Sequence, residues 1–254
     1  MTALPRIIAH RGASAVAPEN TLTAFEAAAA MGAEAVEFDV SLLGDGSAVI
    51  HHDGALGRTS DGAGALVTLD RTALAGLDAG AWFDPGFAGT RIPLLKEALD
   101  RVSELGLAAN LEIKLHGQDP RPLVRAVAQA LTARPGLAAR TVVSSFDHSA
   151  LTALREHVPG QALAALWAQP PENWRQLLAD MGASALHMDW RALSHALLDE
   201  ASEAAIPVRV YTCNDPVALA PFRRPGLDAV ITDDPRLFLR DPDWADWVPH
   251  PGVR

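Results

Sequence analysis

Glu37 and Asp39 carry the clearest chemical consequence in this chain, because they stand two positions apart inside the apolar run Ala35-Val36-Glu37-Phe38-Asp39-Val40. In an extended strand, side chains alternate between faces, so both carboxylates aim the same way and into the core. Two ionised groups roughly 7 Å apart repel by about 2–3 kcal/mol at an effective dielectric of about 20. Desolvation adds several kcal/mol per ion. A strand that buries such a pair must hold positive charge beside it.

A third carboxylate, Glu112, lies in the similar run Asn110-Leu111-Glu112-Ile113-Lys114, with Lys114 on its face of the strand. Arg11 follows His10 at the end of Ile7-Ile8-Ala9, where a guanidinium can grip a phosphate and Gly12 lets the backbone approach closely. Buried ion pairs, Glu112 with Lys114 or Arg11 with Asp39, are the simplest reading. If all five groups converge, however, three negative charges meet two positive ones and one negative charge is left over. A divalent cation would turn that excess to +1, which a phosphodiester anion would neutralise. Carboxylates without cysteine select one hard cation, Mg²⁺ or Ca²⁺, over zinc. Histidines add proton-transfer capacity at neutral pH, given an ordinary pKa of ~6.5. His10 is one candidate, and His51-His52-Asp53 supplies another, since only one of two adjacent residues in an extended chain faces a given side.

The elements that must position these groups form a regular series. Strand-like runs are read at Arg6–His10, Glu34–Val40, Ala109–Lys114, Thr141–Phe146, Gln161–Trp167, Ala185–Asp189, Val208–Thr212 and Ala229–Asp233. Helical patterns separate them. Asn20 reads as the cap of a helix over Thr21–Met31, ended by Gly32, and Pro93 opens Leu94–Leu105, ended by Gly106. Later helices are expected to begin near Pro122, Asp147, Glu172, Arg191 and Asp215. A further β-run, Ala48–His52, follows the second strand too closely for a crossover helix and is read as a hairpin turning at Asp45-Gly46. Alternation of this kind predicts an α/β fold, a closed (β/α)₈ barrel, with an open doubly wound sheet as the rival. Residues 54–92 break the rhythm. They hold eight of the nineteen glycines, together with Trp82, Phe83 and Phe87, and read as a small inserted lobe after the second strand and its hairpin.

Bulk composition narrows the classes. The 254 residues, 49% apolar and 20% charged, suit one well-packed domain over 1–254, and a net charge of −10 argues against nucleic acid and anionic membrane surfaces as partners. Cys213 is alone, so no internal disulfide is available. Neither a secretory leader after Met1 nor an apolar run of ~20 residues is visible, and a cytoplasmic location is expected.

Taken in order, His10-Arg11-Gly12, Pro18-Glu19-Asn20-Thr21, Glu37-Phe38-Asp39-Val40, His52-Asp53, Glu112-Ile113-Lys114, Ser145-Phe146 and Thr232-Asp233 resemble the glycerophosphodiester phosphodiesterases, along essentially the whole chain and nearest the compact cytosolic bacterial branch. The resemblance implies metal-dependent hydrolysis of a small-molecule glycerophosphodiester to sn-glycerol 3-phosphate and an alcohol. It implies a divalent metal on Glu37, Asp39 and Glu112, His10 and His52 as acid and base, and Arg11 and Lys114 on the phosphate. Phe146 and Tyr211 would line the glycerol side. Tyr211 stands where the family more often has Trp, which leaves the pocket's shape open. A related barrel acting on lysophospholipid and a non-catalytic binding barrel are the alternatives. Of the remaining polar residues, Glu19 is expected to cap or to bond back to the His10-Arg11 loop, and Asp233 to orient a basic group. His187 is read as a satisfied core histidine or a pocket residue. His116, His148, His157, His195 and His250 receive no role, and oligomeric state is open.

Overall fold

The computed structural model describes residues 4–245 and 247, so Met1–Ala3 and His250 lie outside the described residues. Nine strands are formed: β1 (Ile7–His10), β2 (Ala35–Leu42), β3 (Ala48–Ile50), β4 (Ala108–Ile113), β5 (Thr141–Ser145), β6 (Ala162–Trp167), β7 (Ala185–Asp189), β8 (Val208–Tyr211) and β9 (Leu227–Thr232). Eight of them pair in parallel in the order β1-β9-β8-β7-β6-β5-β4-β2, and β1 pairs again with β2. The sheet therefore closes on itself as a (β/α)₈ barrel. β3 runs antiparallel to β2, pairing Val40 with Ile50 and Leu42 with Ala48, and Gly46 turns the hairpin with φ of 84°.

Alternation along the strands divides two cores. Val36, Phe38, Leu111, Val143 and Val210 face outward and pack with helix residues such as Phe25, Leu99, Val127 and Leu154. On the inner face, Ile8, Ala35, Ala108, Val142, Ala164, Ala185, Ala229 and Ile231 form a separate buried cluster. Small side chains suffice there because eight strands leave room only for interlocking layers. The next inner positions toward the carboxyl ends are His10, Glu37, Asp39, Asn110, Glu112, Ser144, His187 and Arg209. Arg209 excepted, which stands level with Ala229 and bonds Asp228, these polar residues share one end of the barrel's interior.

Helices return the chain on the outside. Leu95–Glu104 buries Leu95, Ala98, Leu99 and Val102, the spacing of one helical face. Asp119, Asp147, Ser194 and Asp215 cap later helices through their side-chain oxygens. Near Arg191 the expected helix is only a 3₁₀ turn, Trp190–Ala192, and the α-helix begins at His195 behind Ser194. At the first helix the expected cap is corrected. Thr21 Oγ1 accepts from Ala24 N at 3.2 Å, whereas Asn20 sits at φ 58° with its side chain turned to β2.

Residues 54–92 form the lobe, with 3₁₀ turns at Leu66–Thr68 and Pro85–Phe87, a single helical turn at Arg71–Leu74, and a small core of Leu66, Leu74, Ala79 and Ile92 set against Leu43 and Val49. Asp78 accepts from the backbone N–H groups of Gly80, Ala81 and Gly89. Gly80 is required by packing, since a Cβ there would meet the Phe87 carbonyl at 2.0 Å. Among the described residues, no helix is long and apolar enough to cross a membrane.

Candidate active site

Register brings the carboxylates together. β2 and β4 pair so that Asp39 stands opposite Glu112 and Glu37 opposite Asn110, while His10 on β1 stands opposite Glu37. All three carboxylates are buried, and one oxygen from each lies within 4.8 Å of the others. The carboxylates expected on a shared face therefore lie nearer than extended-strand spacing alone requires.

Cations surround them unevenly. Lys114 Nζ is 2.5 Å from Glu112 Oε1 and 3.3 Å from Asp39 Oδ1, and Arg11 Nε is 3.2 Å from Asp39 Oδ2. Asn20 grips Asp39 twice: its Nδ2 donates to Oδ2 at 2.8 Å, and its Oδ1 accepts from the Asp39 N–H at 3.1 Å. Burial works against ionisation of Asp39, but Lys114, Arg11, His52 and the Asn20 hydrogen bond outweigh it and hold the carboxyl at about 2. Glu37 has only the Arg11 backbone N–H, at 3.0 Å to Oε2, and its buried Oε1 has no hydrogen-bond partner. Burial, then the charges of Asp39 and Glu112, push Glu37 well above the ordinary carboxylate range; burial and Asp39 push Glu112 up to about 7. Both simple ion pairs exist, and three carboxylates still outnumber two cations by one, an excess met without a further cation by keeping Glu37 in its neutral form.

That excess, an unpartnered buried carboxylate oxygen and an all-oxygen donor set fit a hard divalent cation. Glu37, Asp39 and Glu112 are the residues that could hold it.

The backbone is strained where it reaches this cluster. Arg11 has φ 56°, a left-handed conformation uncommon for a residue with a side chain, and it aims the amide at Glu37 while the guanidinium lies over Asp39. Gly12 follows at φ 81°, and a Cβ there would come within 2.6 Å of Ala24. Arg11 Nη1 also donates to Glu19 Oε1 at 2.6 Å, so Glu19 bonds back to this loop.

Each candidate histidine has its own carboxylate. His10 Nδ1 is 2.7 Å from Asp233 Oδ1, and Asp233 also accepts from Ser14 Oγ at 3.0 Å and Asn214 Nδ2 at 2.6 Å. Burial opposes ionisation of Asp233, yet these bonds hold it at about 2. An ionised carboxylate only accepts, so Nδ1 of His10 carries the proton and Nε2 faces inward, 3.9 Å from Glu37 Oε2. His52 repeats the pattern, with Nδ1 2.6 Å from Asp53 Oδ1. Burial lowers its pKa below the ordinary histidine range, Asp39 opposing and Arg11 assisting. His51 is buried and points away, its Nε2 3.3 Å from the Ala55 carbonyl.

Across the barrel mouth, Phe146 and Tyr211 meet edge to face with centroids 5.9 Å apart, and Lys114 Nζ lies 5.6 Å from the Phe146 ring centroid. Phe146 is 48% exposed, whereas the Tyr211 hydroxyl is buried without a partner. His187 is fully buried on the inner face, its Nε2 3.3 Å from Arg209 Nη1, so it is a core histidine with one ring nitrogen satisfied. His116 contacts Ser41 and His148 contacts Trp167.

Sequence reading passes over Asn20 as a carboxylate holder. No spacing rule reveals it, because its role follows from a left-handed turn rather than from a repeat. Asp53 and Asp233 carry a better signal, each being an acidic residue next to a strand end that bears or neighbours a histidine.

Comparison with known proteins agrees with the barrel fold. The model of the glycerophosphoryl diester phosphodiesterase family matches residues 10–237. The chain belongs to that family. It is 30% identical over 238 residues to the glycerophosphodiester phosphodiesterase of Caldanaerobacter subterraneus subsp. tengcongensis, covering 92% of this chain and 96% of that one. Among solved structures, it resembles an Oleispira antarctica phosphodiesterase in complex with the product sn-glycerol-3-phosphate, with a TM-score of 0.88, 34% identity, and 92% and 94% of the two chains covered. The glycerophosphodiester phosphodiesterase of Thermotoga maritima superposes with a TM-score of 0.74 at 30% identity, covering 92% of this chain and 96% of that one. Family membership makes this chain an enzyme, a phosphoric diester hydrolase.

Proposed function

We propose that the described chain acts as one catalytic unit, its 54–92 lobe included, that cleaves glycerophosphodiesters such as glycerophosphocholine and glycerophosphoethanolamine to sn-glycerol 3-phosphate and an alcohol. The observation that carries this reading is the convergence of Glu37, Asp39 and Glu112 within 4.8 Å, beside two histidines that are each held by a carboxylate. The product bound to the Oleispira relative supports the substrate class.

A divalent cation, Mg²⁺ or Ca²⁺, held by the three carboxylates would supply charge neutralisation at the phosphoryl group and acidify an oxygen nucleophile. Arg11 and Lys114 bind the phosphate oxygens from either side of Asp39. Phe146 and Tyr211 wall the glycerol end. With its pKa lowered by burial and its Nδ1 proton on Asp53, His52 presents an Nε2 lone pair at neutral pH and takes the proton from the attacking hydroxyl. The glycerol hydroxyl next to the phosphate serves as the nucleophile, because its proximity gives a large effective concentration. His10, entering this step protonated on both ring nitrogens, keeps its Nδ1–H on Asp233 and gives its Nε2 proton to the leaving alcohol. The cyclic phosphate so formed opens to water with the histidine roles reversed.

The test is release of glycerol 3-phosphate from a panel of glycerophosphodiesters after chelation, with Mg²⁺ and Ca²⁺ returned separately. Activity restored by cation is expected; full activity in excess chelator, or no release from any member, contradicts the proposal. The histidine roles separate with a nitrophenyl leaving group, which needs no proton. His10→Ala should recover on that substrate and His52→Ala should not. The reverse pattern exchanges the two roles.

A further inference from the structure

Arg58 lies in the inserted lobe, yet its guanidinium is bonded entirely to residues beside the candidate histidine and phosphate-binding arginine. Its Nε donates to Asp53 Oδ2 at 2.6 Å, while Nη1 and Nη2 donate to Glu19 Oε2 and Oε1 at 2.9 and 2.8 Å. Asp53 in turn bonds His52 Nδ1 through its other oxygen, at 2.6 Å, and Glu19 Oε1 also accepts from Arg11 Nη1, at 2.6 Å. One continuous chain, His52, Asp53, Arg58, Glu19 and Arg11, therefore runs across the barrel mouth.

Its energetic weight in folding is small, since the Arg58 side chain is 46% exposed and solvent screens exposed ion pairs. Its geometric consequence is larger. His52 stands just beyond the three-residue β3, and its ring is one-third exposed. Asp53 is the side chain that fixes it, and Asp53 has no strand of its own. A planar guanidinium reaches both carboxylates through three N–H groups at once; an ammonium has no such fork.

We propose that Arg58 is a positioning residue: by clamping Asp53 and Glu19 together it fixes the His52 ring with Nδ1 on Asp53 and Nε2 toward the reacting phosphodiester, which makes the lobe a working part of the site. The kinetic part rests on the acid/base reading of His52; the orientation of the ring does not.

The experiment compares Arg58→Ala and Arg58→Lys with wild type by three readouts. Nitrogen NMR of the ring, recorded without substrate, should show His52 as the Nδ1–H tautomer in wild type and as a mixture in Arg58→Ala. Turnover of glycerophosphocholine should fall about 10²-fold in kcat, the scale of a misplacement of roughly 1 Å, with little change in thermal midpoint and no recovery in Arg58→Lys. Free guanidinium at low concentration should restore part of kcat in Arg58→Ala, beyond sodium chloride of equal ionic strength. An unchanged ring spectrum and unchanged kcat in Arg58→Ala overturn the proposal. So does full activity in Arg58→Lys, and that variant decides the matter if Arg58→Ala does not fold. If His52→Ala retains wild-type turnover, the acid/base reading fails instead, and the ring spectrum alone judges Arg58.

Discussion

Two layers of the same barrel interior differ in what they do with adjacent positions on the same strands. In the lower layer Ile8, Ala35, Ala108, Ala185 and Ala229 fill the interior with small apolar side chains. Two and four residues further along, β1 carries His10, β2 carries Glu37 and Asp39, β4 carries Asn110 and Glu112, and β7 carries His187. The lower layer is satisfied by packing alone. The upper one buries three carboxylates, leaves Glu37 Oε1 without a partner, and drives Glu37 and Glu112 toward the protonated form. Strand geometry is shared, so the contrast lies entirely in side-chain chemistry. It shows that this barrel places stability low in its interior and accepts electrostatic tension at its carboxyl end, as expected for a site built to receive a cation.

The sharpest way to break this contrast is to exchange the layers' consequences. Glu37→Gln should lower turnover by at least about 10³-fold, the loss expected when several kcal/mol of charge stabilisation disappear. Its thermal midpoint should not fall, because burial already disfavours the charged form of this side chain. A large drop in midpoint with activity retained would place Glu37 with the structural layer. Ile8→Ala should do the opposite, costing about 2–5 kcal/mol in denaturant unfolding while leaving kcat per folded molecule near wild type. A more modest effect is expected outside the carboxylate cluster. Asp233→Asn replaces the acceptor-only carboxylate that fixes His10 Nδ1–H with an amide that can also donate, and should reduce kcat more than it raises KM. Asp233 is held at about 2, below its ordinary value of 3.8. A depressed carboxyl stabilises the fold above its unfolded pKa and loses that contribution as pH falls through the folded one. The stability gap between wild type and Asp233→Asn should thus persist down to about pH 4 and close toward pH 2. A gap that widens on acidification would contradict the assignment.

Much of the fold is legible because its pattern is redundant. Each strand is a short β-rich run, each is followed by a cap or a Pro-led helix, and eight repetitions leave few architectures open. Strand ends differ by one or two residues, as at Ala48–Ile50, where the His51 N–H still bonds the Asp39 carbonyl of β2 while its ring turns to Ala55 in the lobe. The carboxylate triad is legible for a related reason: charges inside apolar runs conflict with burial and so stand out. Asn20 is not legible. Its type suits a helix cap equally well, and only the left-handed turn at φ 58° sends the amide to Asp39 while Thr21 takes the cap. Arg58 escapes notice because it lies in a glycine-rich stretch without periodicity, and its partners are 5 and 39 residues away.

The central claim, that the upper layer is a cation site rather than a set of buried ion pairs, is tested most directly by calorimetric titration of the chelator-treated protein with Mg²⁺ and with Ca²⁺, for wild type and for a variant combining Glu37→Gln with Glu112→Gln. One saturable site in wild type, lost in the variant while its fold persists, is the predicted result. Equal binding in both proteins, or none in wild type alongside full turnover in chelator, would contradict it.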